Sequence, residues 1–194
     1  MVKIILASES PIKENTLKQW FKENKKCSVS IKKISIEDNL LPPQPLNTGG
    51  SLTCSDRLKN TLNKCDNLIK YDYVVSIENS IVIEESKLID VVDIKIKDVL
   101  MNKEYSATGG RIDVTYKLLN GYSKLPLIIE ELQESYEKTS KNYIFDGCEK
   151  TFGELINKYY PNIQSNNWMK TVCGVDRKSQ IMSVLDELSL KINV

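Results

Sequence analysis

Apolar residues fill positions 2 to 7 (VKIILA) with one interruption, the pattern of a buried strand. The next residues, SESP, close it. From Ile12 the spacing changes. Ile12, Leu17, Trp20 and Phe21 recur on one side of a helix, which predicts a helix to about Asn24. Ser10 suits its N-cap and Pro11 its first position, where a missing N–H costs nothing. Residues 28 to 36 (SVSIKKISI) read as a second strand. Residues 37 to 50 (EDNLLPPQPLNTGG) carry three prolines and two glycines and read as a loop. A helix is predicted from about Ser51 to Lys70, with Leu52, Leu58, Leu62, Cys65 and Ile69 on its apolar side.

The middle of the chain turns strand-like. Residues 73 to 83 (YVVSIENSIVI) form an apolar run broken by a polar point at Glu78 to Ser80. Leu88 to Val99 alternates, and Arg111 to Leu119 resembles a further strand after a Gly109–Gly110 turn. Helices are predicted over Leu127–Lys138, Phe152–Tyr159 and Ser179–Leu190, the last with Ile181, Val184, Leu185 and Leu188 inward. Trp168–Val172 reads as a short strand. This order predicts an α/β fold: a mixed central β-sheet flanked by helices, antiparallel in the middle of the chain. Residues 1–194 are expected to form a single domain, with room for a cleft between two lobes.

Composition narrows the chemistry. Hydrophobic residues make up 41% of the 194 positions and charged residues 27%, enough for a core and against wholesale disorder. The net charge of +1 and the absence of basic–aromatic interleaving around the lysines at 22 to 26 and 32 to 33 give no support to nucleic-acid binding. There is no histidine, so histidine triads and imidazole zinc sites are excluded. The five cysteines are odd in number and lack a CxxC pair, as in a reduced intracellular protein with structural thiols. No apolar run approaches 18 residues and the N-terminal stretch has no signal-peptide layout; a soluble cytoplasmic protein, without membrane attachment, is expected.

Three places could carry function. At Ser8–Glu9–Ser10–Pro11–Ile12–Lys13 a buried strand ends and a helix N-terminus opens. Its free N–H groups, two serine hydroxyls and the lysine suit an anion; the same residues also make an ordinary capped helix. Glu78 interrupts an apolar strand and is edge-exposed, paired or holding a cation. The only arginines are Arg57, Arg111 and Arg177. Arg57 could pair with Asp56 or Glu78, Arg177 with Asp176 or Asp186, and Arg111 could flank a turn. Trp20 and Phe21 fit the helix period and belong to a core, whereas Trp168 could line a pocket.

These residues together resemble the inosine/xanthosine triphosphatase family, within the ITPase-like and Maf-like superfamily. The family's first strand ends in a Thr/Ser-x-Asn-Pro-x-Lys turn, matched here by Ser8 to Lys13 with serine at Ser10. Gln44–Pro45 matches its QP segment and Asp56–Arg57 its Asn-Arg pair. Ile77–Glu78–Asn79–Ser80 matches its Ile-Glu strand, and Gly174 to Arg177 its glycine and arginine before the last helix. The departures are specific. Family members carry glutamates after the QP segment, but residues 46 to 51 contain no carboxylate. Cys54–Ser55 replaces a Gly-Ala pair, the spacing is one residue short, and Glu37 and Asp38 have no assigned place.

The resemblance implies an ITPase-like fold and hydrolysis of ITP or XTP to a nucleoside diphosphate and phosphate, with Mg²⁺ or Mn²⁺. It implies Ser8, Ser10 and Lys13 on the phosphate tail, Glu78 as metal ligand, and Arg57 and Arg177 on phosphate or base. Asp56 would support Arg57 or the cation-bound water, and Lys13, Glu78 and Asp56 would form the catalytic set. A homodimer is implied as well. The missing glutamate leaves a second reading open: a homologue that binds nucleotide or a partner protein without turnover.

Overall fold

Strand β1 (Val2–Leu6) is the second strand of a five-stranded sheet, in which Ile4, Ile5 and Leu6 are completely buried. The computed structural model describes residues 1–35, 39–85, 87–115, 122–166 and 168–190. The chain leaves β1 through helix α1 (Pro11–Asn24) and returns as β2 (Val29–Lys33), parallel to β1. A two-residue strand, β3 (Gln44–Pro45), precedes helix α2 (Gly49–Lys64). The long strands β4 (Tyr73–Glu84), β5 (Lys87–Asp98) and β6 (Lys103–Asp113) follow. The order is β2-β1-β4-β5-β6, parallel between β1 and β4 and antiparallel from β4 outward. The described chain continues with α3 (Leu125–Thr139), β7 (Gly147–Cys148) paired with β3, α4 (Phe152–Tyr159), α5 (Trp168–Cys173) and α6 (Arg177–Ser189). The chain is α/β, with a mixed sheet flanked by helices.

Each sheet face has its own cover. Ile4, Leu6, Val75, Ile77 and Ile94 pack on α1 and α6 through Leu17, Trp20, Ile181 and Leu185. Burying one such side chain contributes about 1.5–3 kcal/mol, so this layer is a major source of stability. The opposite face lies under α2, where Ile5, Val74 and Leu58 form a smaller cluster. A third cluster gathers the far ends of β4 and β5 with α3, α4 and α5, through Ile81, Leu88, Ile128, Phe152 and Trp168.

Three elements differ most from the sequence expectation. Helix α2 starts at Gly49 and ends at Lys64; Leu68–Lys70 is a separate 3-10 turn. Its buried side is Gly49, Gly50, Thr53, Cys54, Leu58 and Thr61, while Leu52 and Ile69 are exposed. Small and hydroxylated residues face the sheet because the sheet face beneath them is itself polar. Gly109–Gly110 does not precede a strand but lies within β6, opposite an irregularity between Asp90 and Val92 of β5, and Gly110 takes φ +60. The rest of the expected strand, residues 116–119, falls outside the described residues. Trp168–Val172 is helical, because it packs Trp168, Met169 and Val172 into the third cluster as one short turn.

Glu131 on α3 ties that helix to α4. It accepts from Tyr159 Oη at 2.5 Å, pairs with Lys158, and lies 3.4 Å from Lys150 Nζ. Lys158 first, then Tyr159, hold its carboxyl down at about 2. A depressed folded-state value stabilises the fold above the unfolded value of 4.5 and is lost as pH falls toward 2. Glu131→Gln should therefore flatten the fall in melting temperature between those two pH values, measured by thermal denaturation.

Candidate functional site

The end of β1 and the start of α1 form a tight, locally satisfied turn. Ala7 N donates to Val75 O, which docks the turn on β4. Ser8 Oγ accepts from Ser10 N at 3.2 Å, and Ser10 Oγ accepts from Lys13 N at 3.5 Å as the N-cap. Each hydroxyl acts here as an acceptor, and an O–H can donate as well.

Lys13 reaches from the first turn of α1 to β4. Its Nζ donates to Ile77 O at 2.6 Å and lies 3.8 Å from Glu78 Oε2. Arg57 approaches the same oxygen from α2, with Nε at 3.1 Å. The pair is close, but the N–H is not aimed along that line: both atoms are buried without a hydrogen bond of ordinary geometry. Such a contact holds by charge alone and is easily exchanged for a better oriented acceptor. Lys13, Arg57 and Glu78 thus meet, although they come from three elements and span 66 sequence positions from first to last.

Asp56 stands outside this group. Its Oδ2 accepts from Asn60 Nδ2 at 2.7 Å along α2, and the carboxylate partner of Arg57 is Glu78. Arg177 pairs with neither Asp176 nor Asp186. Asp176 caps α6, accepting from Lys178 N at 3.0 Å, and Asp186 accepts from Trp20 Nε1 at 2.7 Å. Arg177 forks instead onto Asp90 of β5, at 2.5 and 3.0 Å, and donates to Gln180 Oε1 at 2.7 Å. Its guanidinium lies 5.9 Å from the Trp168 ring centre, in cation–π range. Arg111 pairs with Glu84 at 2.6 Å on the surface. Glu37 and Asp38 lie outside the described residues.

Glu78 and Arg177 line one hollow of about 190 Å³, together with Gln44, Asn79, Phe152 and Trp168. Lys13 and Arg57 reach Glu78 without belonging to this lining. Cys54, on the sheet-facing side of α2, is fully buried, and burial pushes its thiol up to about 12, which removes it as a nucleophile.

Sequence reasoning missed Asp90 and Asp93. Both sit in an apolar run, LIDVVDI, and are 2% and 3% exposed. That is the same signal that marked Glu78. Asp93 is the cross-strand partner of Glu78 and accepts from Thr108 Oγ1 at 2.5 Å.

The donors around Glu78 are oxygens, which suits a hard divalent cation. Glu78 Oε2, Thr53 Oγ1, Ser76 Oγ and Ser80 Oγ are all buried without a hydrogen-bond partner. Mg²⁺ is commonly held by one or two carboxylates together with substrate phosphates and water, and Glu78, which lines the hollow, fits the carboxylate of that pattern. Among the described residues, no group of three or more Asp, Glu or Cys side chains gathers at metal-holding distance. Among the same residues, no helix is long and apolar enough to cross a membrane.

No protein-family model matches the chain, and no curated protein matches its sequence. Among solved structures, the crystal structure of protein VC0702 from Vibrio cholerae is similar, with a TM-score of 0.68 over 98% of this chain and 94% of that one. The two are 14% identical, so the likeness establishes the fold alone.

Proposed function

We propose that the protein is a divalent-cation-dependent phosphatase of non-canonical purine nucleoside triphosphates, ITP and XTP, acting on the cytoplasmic nucleotide pool. The observation that supports this best is the approach of Lys13, at the amino end of α1, to Glu78 on β4 at 3.8 Å. An anion site and an acidic side chain share one place, as transfer of a phosphoryl group requires.

In this reading the triphosphate lies against the free N–H groups that open α1. Ser8 and Ser10 donate their hydroxyls to it, and Lys13 leaves Glu78 to neutralise a terminal phosphate oxygen. Arg57, held loosely at Glu78, turns to the same tail. Glu78 would hold Mg²⁺ or Mn²⁺, which supplies charge neutralisation on the phosphate oxygens. Water adds to the terminal phosphorus and the bond to the bridging oxygen breaks, giving the nucleoside diphosphate and inorganic phosphate. Arg177, its fork held by Asp90, meets the base from the lining of the hollow and offers its remaining N–H groups to the oxygen-bearing edge of hypoxanthine or xanthine. The resemblance also carries a homodimer, which light scattering checks directly.

A second reading has an observation of its own. The charge of Glu78 is already matched by Lys13 and Arg57, and residues 46–51 hold no carboxylate. A chain so arranged could bind nucleotide without turning it over. Phosphate release from a panel of nucleoside triphosphates with Mg²⁺ or Mn²⁺ separates the two. Release from ITP or XTP well above that from ATP or GTP is the expected result. Calorimetric binding of ITP with no phosphate released supports the second reading, and neither binding nor release overturns both.

A further inference from the structure

We propose that the backbone of Asn79, on β4, recognises the base: its N–H and C=O pair with the lactam edge of hypoxanthine or xanthine, the C6 oxygen and the adjoining N1–H. The choice of ligand rests on the phosphatase reading; the donor and acceptor are argued from the sheet.

Strand β4 changes partner along one edge and leaves a gap there. Up to Val75 this edge is paired with β1, and Val75 O accepts from Ala7 N at 2.9 Å. At Ile81 it is bridged in parallel by Leu46, and Ile81 O accepts from Asn47 N at 2.9 Å. Between these points Ile77 O is taken by Lys13 Nζ. Successive residues of a strand turn their backbone groups to alternate edges, and the other edge of β4 belongs to β5. Asn79, two residues from Ile77 and two from Ile81, therefore presents both its N–H and its C=O to the gap. Among the described residues neither group has a hydrogen-bond partner. Strand β3 cannot close the gap. Carried back two residues, the register of the Leu46 bridge sets Pro45 against Asn79 O, and proline has no N–H to give.

The gap opens on the hollow. Pro43, Gln44, Glu78 and Asn79 line it together with Arg177. At about 190 Å³ it is smaller than a drug-sized site, about 300–1,000 Å³, and suits one ring system. Three polar side chains of its lining are already committed: Gln44 accepts from Phe152 N, Thr151 caps α4, and Asp90 holds Arg177. The Asn79 backbone and the remaining N–H groups of Arg177 are not. A residue on an open strand edge offers a donor and an acceptor side by side, as it would to the opposing residue of a hydrogen-bonded β pair. A purine lactam answers with an acceptor and a donor in complementary order. The C6 oxygen has two lone pairs, so Arg177 and Asn79 N–H can share it. Adenine reverses the order. Its bare N1 would face Asn79 O and its amino group Asn79 N–H, so neither backbone group would be matched. A site built to hydrogen-bond its ligand rejects such a mismatch far more strongly than it rejects a missing methylene.

The test is a titration of the full-length protein, labelled with ¹⁵N at asparagine, with inosine and separately with adenosine. The Asn79 amide is followed by NMR, and Asn79→Gln assigns its signal by removing it. Inosine is expected to shift this amide, and adenosine to bind ~10- to 100-fold more weakly. Asn79→Pro deletes the N–H without breaking a ladder bond to β5 and is expected to weaken inosine binding by ~10-fold. Should that variant not fold, 1-methylinosine, which carries a methyl group in place of the N1 hydrogen, is expected to bind the wild-type protein ~10- to 100-fold more weakly than inosine. Inosine bound with the Asn79 amide unmoved would overturn the proposal. Adenosine or 1-methylinosine bound as tightly as inosine would do so too, as would a protein that binds no inosine. Phosphate release from ITP is measured alongside. If inosine binds at Asn79 but ITP is not hydrolysed, the base site stands and the phosphatase reading fails. If ITP is hydrolysed while the Asn79 amide stays unmoved, the reverse holds.

Discussion

Lys13→Ala is expected to lower ITP hydrolysis by ~10²- to 10³-fold, the usual cost of removing one preorganised donor from the place where charge develops. The lysine is suited to this because it is neither fully committed nor fully solvated. Its side chain is 16% exposed, it is anchored by Ile77 O, and it stands next to Glu78 without a tight ion pair. Its loss should leave the fold intact. The hydrophobic layer of α1 is made by Leu17, Trp20 and Phe21, and Glu78 keeps Arg57 as a neighbour. Thermal denaturation within ~1 kcal/mol of wild type, beside the loss in phosphate release, is the expected pair of results. A variant that hydrolyses ITP at the wild-type rate would mean that the phosphate tail lies elsewhere.

Arg177→Ala is expected to be the most damaging single change to stability, by about 3–5 kcal/mol, because it leaves Asp90 as a buried, half-compensated charge. Asp90 is 2% exposed, with both oxygens directed at Arg177. Gln180 donates to Asp90 at 2.7 Å and to Gly110 O at 2.8 Å, and it alone would remain. The double variant Arg177→Ala with Asp90→Ala should recover part of the loss, since it removes the stranded charge. Denaturant unfolding of the three variants measures this. Equal losses for the single and the double variant would show that the pair is not coupled.

Periodicity made the sheet and the helices on its apolar face legible. The inward row Ile181, Val184, Leu185 and Leu188 of α6 is completely buried, and Trp20 and Phe21 are core. It failed on the polar face. Helix α2 turns Thr53, Cys54 and Thr61 inward and leaves Leu52 outside, because the sheet beneath presents Ser76, Glu78, Ser80 and Asp93. The apolar stripe survives only toward the end of that helix, where Leu58 and Leu62, with Cys65 just beyond, pack on Ile5 and Val74. Trp168 failed for another reason: six residues are too few to separate a helical turn from a strand.

The candidate site was legible in part. Lys13 and Glu78 were named from a turn and from a break in an apolar run, and the fold brings them together. Arg57 was left between two partners, and its place against Glu78 follows from the pitch of α2 over β4. The partner of Arg177 could not be read locally, since Asp90 lies 87 residues away in sequence. Asp90 and Asp93 carried the same mark as Glu78, a carboxylate inside a buried strand. Weighing every such interruption would have found them.

The account turns on a polyphosphate bound at the amino end of α1, facing Glu78. A crystal grown with a non-hydrolysable inosine triphosphate analogue and Mn²⁺ tests it, with the metal located by its anomalous scattering. The expected map places the phosphates against residues 8 to 13 and the metal peak beside Glu78. Phosphates bound away from that turn, or a metal peak remote from Glu78, would contradict it.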